Sequence, residues 1–69
     1  MKWVHVRSSN VAAVGYDKER RVLQVEFLGG SIYEYDNIPL EVFNDLPKQQ
    51  SIGRYIRETI SGRPFRRVR

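Results

Sequence analysis

Sixty-nine residues make one domain at most. The net charge is +4, the apolar share is 41% and there is no cysteine, which excludes a disulfide-stapled scaffold, a thiolate zinc finger, a multidomain enzyme and a disordered chain. No apolar run approaches the roughly 18 residues of a membrane span, and the first residues lack a secretion-signal core, so the expected location is the cytoplasm, off any membrane.

The first half reads as strands. Trp3 to Arg7 is a candidate short leading strand with a mixed face. Val11 to Tyr16 follows, with Ala12, Val14 and Tyr16 on one side. After a polar turn at 17–20, residues 21–27 alternate: Leu23, Val25 and Phe27 share one face, Gln24 and Glu26 the other. A four-residue loop at 17–20 pairs Val14 with Leu23 and Ala12 with Val25. Residues 31–36 form the next strand. A two-residue Gly29-Gly30 turn would put Tyr33 and Tyr35 on the polar side. A three-residue loop, Leu28-Gly29-Gly30, instead pairs Phe27 with Ser31, Val25 with Tyr33 and Leu23 with Tyr35, gathering the apolar groups on one face. Gly30 then takes the left-handed position of that loop.

The second half reads as helices. Asn37 can cap and Pro39 suits a first turn, with Val42, Phe43 and Leu46 as the stripe of a helix over 39–46 that Pro47 ends. Ser51 can cap a second helix over 51–61, where Ile52, Tyr55, Ile56 and Ile60 share one face. Gly53, in its first turn, implies close approach of the backbone to the sheet. Gly62 and Pro64 end it. The expected fold is α+β: a three-stranded antiparallel meander, with a possible extra N-terminal strand, covered on one face by two C-terminal helices. Residues 1–69 make the domain and 63–69 a basic tail. The expected core is Val14, Leu23, Val25, Phe27, Tyr33, Tyr35, Phe43, Leu46, Ile52, Tyr55, Ile56 and Ile60. Phe27→Ala is expected to cost about 3–5 kcal/mol, and removal of the tail to leave folding intact.

An ordered series of short motifs resembles the KTSC domain. It comprises Ser8-Ser9-Asn10-Val11, Val14-Gly15-Tyr16-Asp17, Leu23-Gln24-Val25-Glu26-Phe27 with Gly30, Tyr33-Glu34-Tyr35, Ile38-Pro39, Ser51-Ile52-Gly53-Arg54-Tyr55 and Ile60. The likeness runs over about residues 8–60, with the Pro64-Phe65-Arg66 tail as a candidate extension, and it departs from the family pattern at Arg57 and Ser61. The family is named for a domain at the C-terminus of some lysyl-tRNA synthetases and also occurs as stand-alone bacterial and phage proteins. The resemblance implies Gly30, Tyr33, Tyr35, Pro39, Ser51 and Gly53 as motif residues and suggests a link to RNA.

Chemistry-bearing residues are few. His5 is the only histidine, too little for a metal set or a catalytic base. Ser8-Ser9-Asn10 reads as a turn, and Gly29-Gly30 lacks the lysine and following helix of a phosphate loop. Tyr33 and Tyr35 could stack bases, but the chosen register turns them toward the core. Charge is more informative. Residues 1–46 carry five basic and seven acidic side chains, a sum of −2. Residues 47–69 carry seven basic and one acidic, a sum of +6. Arg54, Arg57 and Ser61 share one outward helical side, and Arg63, Arg66, Arg67 and Arg69 follow in the tail. Guanidinium forks suit phosphate. The bland alternative pairs Arg54 with Glu58 and lays the tail over Glu26, Glu34 and Asp36. The expectation is a non-catalytic binding module, without cofactor or metal, that contacts RNA or another nucleic acid through Arg54, Arg57, Arg63, Arg66, Arg67 and Arg69. The alternative is a protein-interaction accessory domain with no nucleic-acid role.

Overall fold

A computed structural model of the chain describes residues 1–60 and 62–69. Among the described residues five antiparallel strands lie in sequence order: β1 (Lys2–His5), β2 (Val11–Asp17), β3 (Val22–Phe27), β4 (Ile32–Tyr35) and β5 (Phe65–Arg67). Between β4 and β5 come helix α1 (Leu40–Asp45), a 3-10 turn (Leu46–Lys48) and helix α2 (Ile52–Thr59). The fold is α+β, as expected, but the sheet has five strands where three, with a loose fourth, were expected. The basic tail is not free: it is the fifth strand. Its alternation was masked by arginine, which stands on both faces of β5 and reads as a charge run.

The register between β3 and β4 is the expected one, with Leu23 opposite Tyr35 and Val25 opposite Tyr33. Phe27 N–H donates to the Ser31 carbonyl at 2.9 Å, which closes the three-residue loop, and Gly30 sits at φ 96°. Between β2 and β3 the expected register is off by one loop position. Val14 faces Val25 and Tyr16 faces Leu23. The Asp17 side chain accepts the N–H groups of Glu19 and Arg20 at 3.1 and 3.3 Å. The turn therefore starts after Asp17, and Arg21 takes a left-handed conformation (φ 55°). The ladder also slips between Val11 and Ala13, so Ala12 is bulged out and Val11 turns inward instead.

The core lies between the sheet and the helices. Val11, Val14, Tyr16, Leu23, Val25, Ile38, Phe43, Leu46, Ile52, Ile56 and Ile60 form one buried cluster. Tyr16 stacks on Phe43 with ring centroids 5.4 Å apart, and its hydroxyl donates to the Ile38 carbonyl at 2.6 Å. Phe27, Tyr35 and Tyr55 pack against the cluster only in part, and Tyr33 lies outside it, contrary to the expected core. Strand β5, exposed throughout, adds no residue to this cluster.

Helix α2 begins as expected. Ser51 is its N-cap, and its hydroxyl accepts the Arg54 N–H at 3.3 Å. Gly53 is tight against Asn10, not the sheet: a Cβ there would lie 3.2 Å from Asn10 Oδ1. The loop joining β1 to β2 thus rests on the first turn of α2. Helix α1 starts with Pro39 at its N-cap, which has no side-chain acceptor; Asn37, expected to cap, lies two residues upstream in the left-handed region at φ 59°. Gly62, at φ 92°, reverses the chain into β5. No helix is long and apolar enough to cross a membrane, among the described residues.

Candidate nucleic-acid interface

The six arginines singled out from the sequence fall into two groups. Those of the tail have partners within the fold. Arg66 stands opposite Glu34 across the β4–β5 ladder. Its guanidinium reaches Glu34 at 2.5 Å and Asp36 at 3.2 Å. Arg69 meets Glu26 at 2.8 Å and donates to the Gly30 carbonyl at 3.2 Å. Arg67 donates to Ser31 Oγ at 3.1 Å, and Arg63 to the Asn37 carbonyl at 2.6 Å. The tail therefore lies on Glu26, Glu34 and Asp36, and Arg54 pairs with Glu58 at 3.3 Å.

Glu34 explains part of this arrangement. It sits on the sheet face away from the helices yet is buried. Gln24 donates to it at 2.6 Å, and Arg20 lies 3.7 Å away. The Gln24 hydrogen bond and the Arg66 guanidinium outweigh the cost of burial and hold its carboxyl below the usual range. A buried carboxylate needs such partners, so Arg66 is first of all part of the sheet.

The second group lies elsewhere. Arg54 and Arg57 of α2 and Arg7 of the β1–β2 connection line one polar cleft of about 410 Å³, together with Ser9, Asn10 and Ser51. Its shape follows from local structure. Ser8 Oγ accepts the N–H groups of Asn10 and Val11, both at 3.3 Å, which folds residues 8–11 into a turn. That turn sits against Gly53, where no Cβ intervenes. Among the described residues, no carboxylate lies within 4.0 Å of the Arg7 or Arg57 guanidinium. Arg57 also borders a second cleft of about 270 Å³ with Tyr35, Ile56, Gly62 and Phe65. Ser61, expected on this side of the helix, lies outside the described residues.

A larger cleft of about 660 Å³ sits at the other end, between Met1, Tyr16, Leu40 and Phe43. Its rim carries Lys2 and Lys18 against Asp17 and Glu19, so these side-chain charges offset one another. Sequence reasoning missed Arg7 because it lies in the acidic half. The available signal was Gly53, whose missing side chain implies a close neighbour, and the Ser-Ser-Asn turn is that neighbour.

The family model for the KTSC domain matches residues 7–65. The chain belongs to the KTSC domain family. This KTSC domain is 36% identical over 66 residues to an uncharacterised protein of Stutzerimonas stutzeri, covering 96% of this chain and 93% of that one. It is 41% identical over 63 residues to a protein of Tsukamurella paurometabola, with 91% and 92% of the two chains covered. A lysine–tRNA ligase of a Nostoc species is 39% identical over 54 residues, which are 78% of this domain and 10% of the ligase. The crystal structure of a KTSC domain protein from Yersinia pestis superposes with a TM-score of 0.87 at 27% identity, covering 99% of this chain and 97% of that one.

Proposed function

We propose that this KTSC domain is a non-catalytic module that binds single-stranded RNA, with backbone phosphates held by Arg7, Arg54 and Arg57. The observation that carries this reading is the convergence on one polar cleft of Arg7 and Arg57, neither in an ion pair among the described residues. Guanidinium groups that share a cleft repel each other, and an anion relieves that repulsion. Ser9, Asn10 and Ser51 add hydrogen-bonding groups beside them. Among the described residues the lining holds hydroxyls but no imidazole or carboxylate to act on them, which favours binding over turnover. The match to part of a lysine–tRNA ligase favours RNA among polyanions. Arg54 has one exposed pair, to Glu58, which a phosphate can displace, whereas Arg66, Arg67 and Arg69 each hold two partners and Arg63 a backbone carbonyl, so these four contribute through their field more than through direct contact.

A titration of labelled single-stranded RNA at about 50 mM salt tests it, where screening is modest. Three phosphate contacts at about −0.7 each give a log K against log salt slope of roughly −2. Arg7→Gln with Arg57→Gln should abolish most of the affinity, whereas Arg63→Gln should change it little. Absence of binding by the parent protein would sink the reading and favour a protein partner.

A further inference from the structure

The second cleft that Arg57 borders leads onto an aromatic strip at the edge of the core, where Tyr35 packs against the buried cluster only in part. In the β4–β5 ladder Tyr35 stands opposite Phe65 and Tyr33 opposite Arg67, so all four side chains share the helix-side face of the sheet. Phe65 is 60% exposed. Its ring centroid lies 5.7 Å from that of Tyr35 and 6.0 Å from that of Tyr33, with planes inclined by 32° and 36°. Neither Tyr33 nor Phe65 belongs to the buried cluster. A three-residue edge strand carried by backbone pairing and the Arg66 ion pairs does not require an aromatic at this place. Burying such a ring elsewhere would be favourable, so its exposure on a ledge beside two other rings needs another reason.

We infer that Tyr33, Tyr35 and Phe65 form a shelf on which bases of a single strand stack while its phosphates cross Arg57 into the Arg7–Arg54 cleft. The inference rests on the nucleic-acid reading and deepens it. Aromatic faces accept any base, because every base has a π-face, and stacking needs bases that are not paired in a duplex. Guanidinium groups flank the shelf at both ends: Arg57 borders the cleft under Phe65, and Arg67 stands beside Tyr33. An apolar strip bounded by cations suits a chain that alternates flat apolar rings with anions. It suits a plain apolar peptide less well. β5 supplies Phe65 and so extends the Tyr33–Tyr35 face by a third ring.

Two strands of equal length distinguish the shelf from simple charge attraction: an oligouridylate and an abasic ribose-phosphate oligomer, each titrated at about 50 mM salt. The base-bearing strand should bind roughly tenfold or more tightly than the abasic one, the effect of engaging a single base. Phe65→Leu keeps an apolar group on the exposed ledge but removes the π-face. It should bring the two affinities together while leaving that of the abasic strand unchanged. A duplex of the same sequence should gain nothing from Phe65. Equal binding of the two strands by the parent, or a preference that survives Phe65→Leu, would overturn the shelf and leave the phosphate cleft standing. No binding of either strand would overturn both. If the parent proves to be a dimer that Phe65→Leu dissociates, the strip is an interface between copies and the inference fails.

Discussion

Arg66 Nη2 lies 2.5 Å from Glu34 Oε1, joining the last strand of the sheet to a buried carboxylate of its neighbour. The pair makes stability depend on pH in one direction. Glu34 ionises more readily in the fold than in the unfolded chain. Its contribution is therefore complete above the unfolded value of about 4.3 and is lost as pH falls through the lower folded value. Thermal melts from about pH 6 down to about pH 3 should show a falling midpoint. In Glu34→Gln the midpoint at neutral pH should be lower, by the equivalent of about 1–2 kcal/mol, and the fall on acidification shallower. An unchanged pH profile in that variant would remove Glu34 from the account.

Deleting residues 63–69 should destabilise the domain, against the expectation from the helical stripe alone. The deletion removes β5 and leaves Glu34 without Arg66. A drop in melting temperature of roughly 5–10 °C is expected for a domain of this size. A truncated chain that melts with the parent would mean that β5 adds nothing to stability. Arginine-to-glutamine changes at single positions are the better test of binding.

Core substitutions should follow burial and not residue size. Leu46 is fully buried, and Leu46→Ala should cost about 2–5 kcal/mol. Phe27 only edges the core, with its ring set edge-on to Tyr33 at 5.8 Å. Phe27→Ala should therefore cost less than the value expected for a core phenylalanine, about 1–2 kcal/mol. Chemical denaturation of the two variants ranks them, and a larger loss for Phe27→Ala would contradict the burial.

Gly15 carries the Trp3 indole on the open face of the sheet. A Cβ at position 15 would stand 2.7 Å from two atoms of that ring. Gly15→Ala should push the indole outward and shift its emission to the red, with Trp3 as the only tryptophan. Since β1 is an edge strand, the domain should still fold. Emission identical to that of the parent would show that the ring does not lie over Gly15.

Local chemistry determined much of this domain from the sequence alone. Period-2 alternation placed β2, β3 and β4, and the left-handed glycine at position 30 set the register of Tyr33 and Tyr35. The Ser51 cap and the Ile52, Tyr55, Ile56 and Ile60 stripe placed α2. These signals are legible because each depends on neighbours a few residues away in the chain. Tertiary structure alone decided the rest. Whether an arginine is paired depends on a carboxylate 30 residues away for Arg66 and 43 for Arg69, so both were indistinguishable from Arg57 until β5 met β4. Arg7 joined Arg54 and Arg57 only when the Ser8–Asn10 turn came to rest on Gly53. Charge at a position is written in the sequence; the desolvation and pairing that decide what the charge is free to bind come from contacts between distant segments.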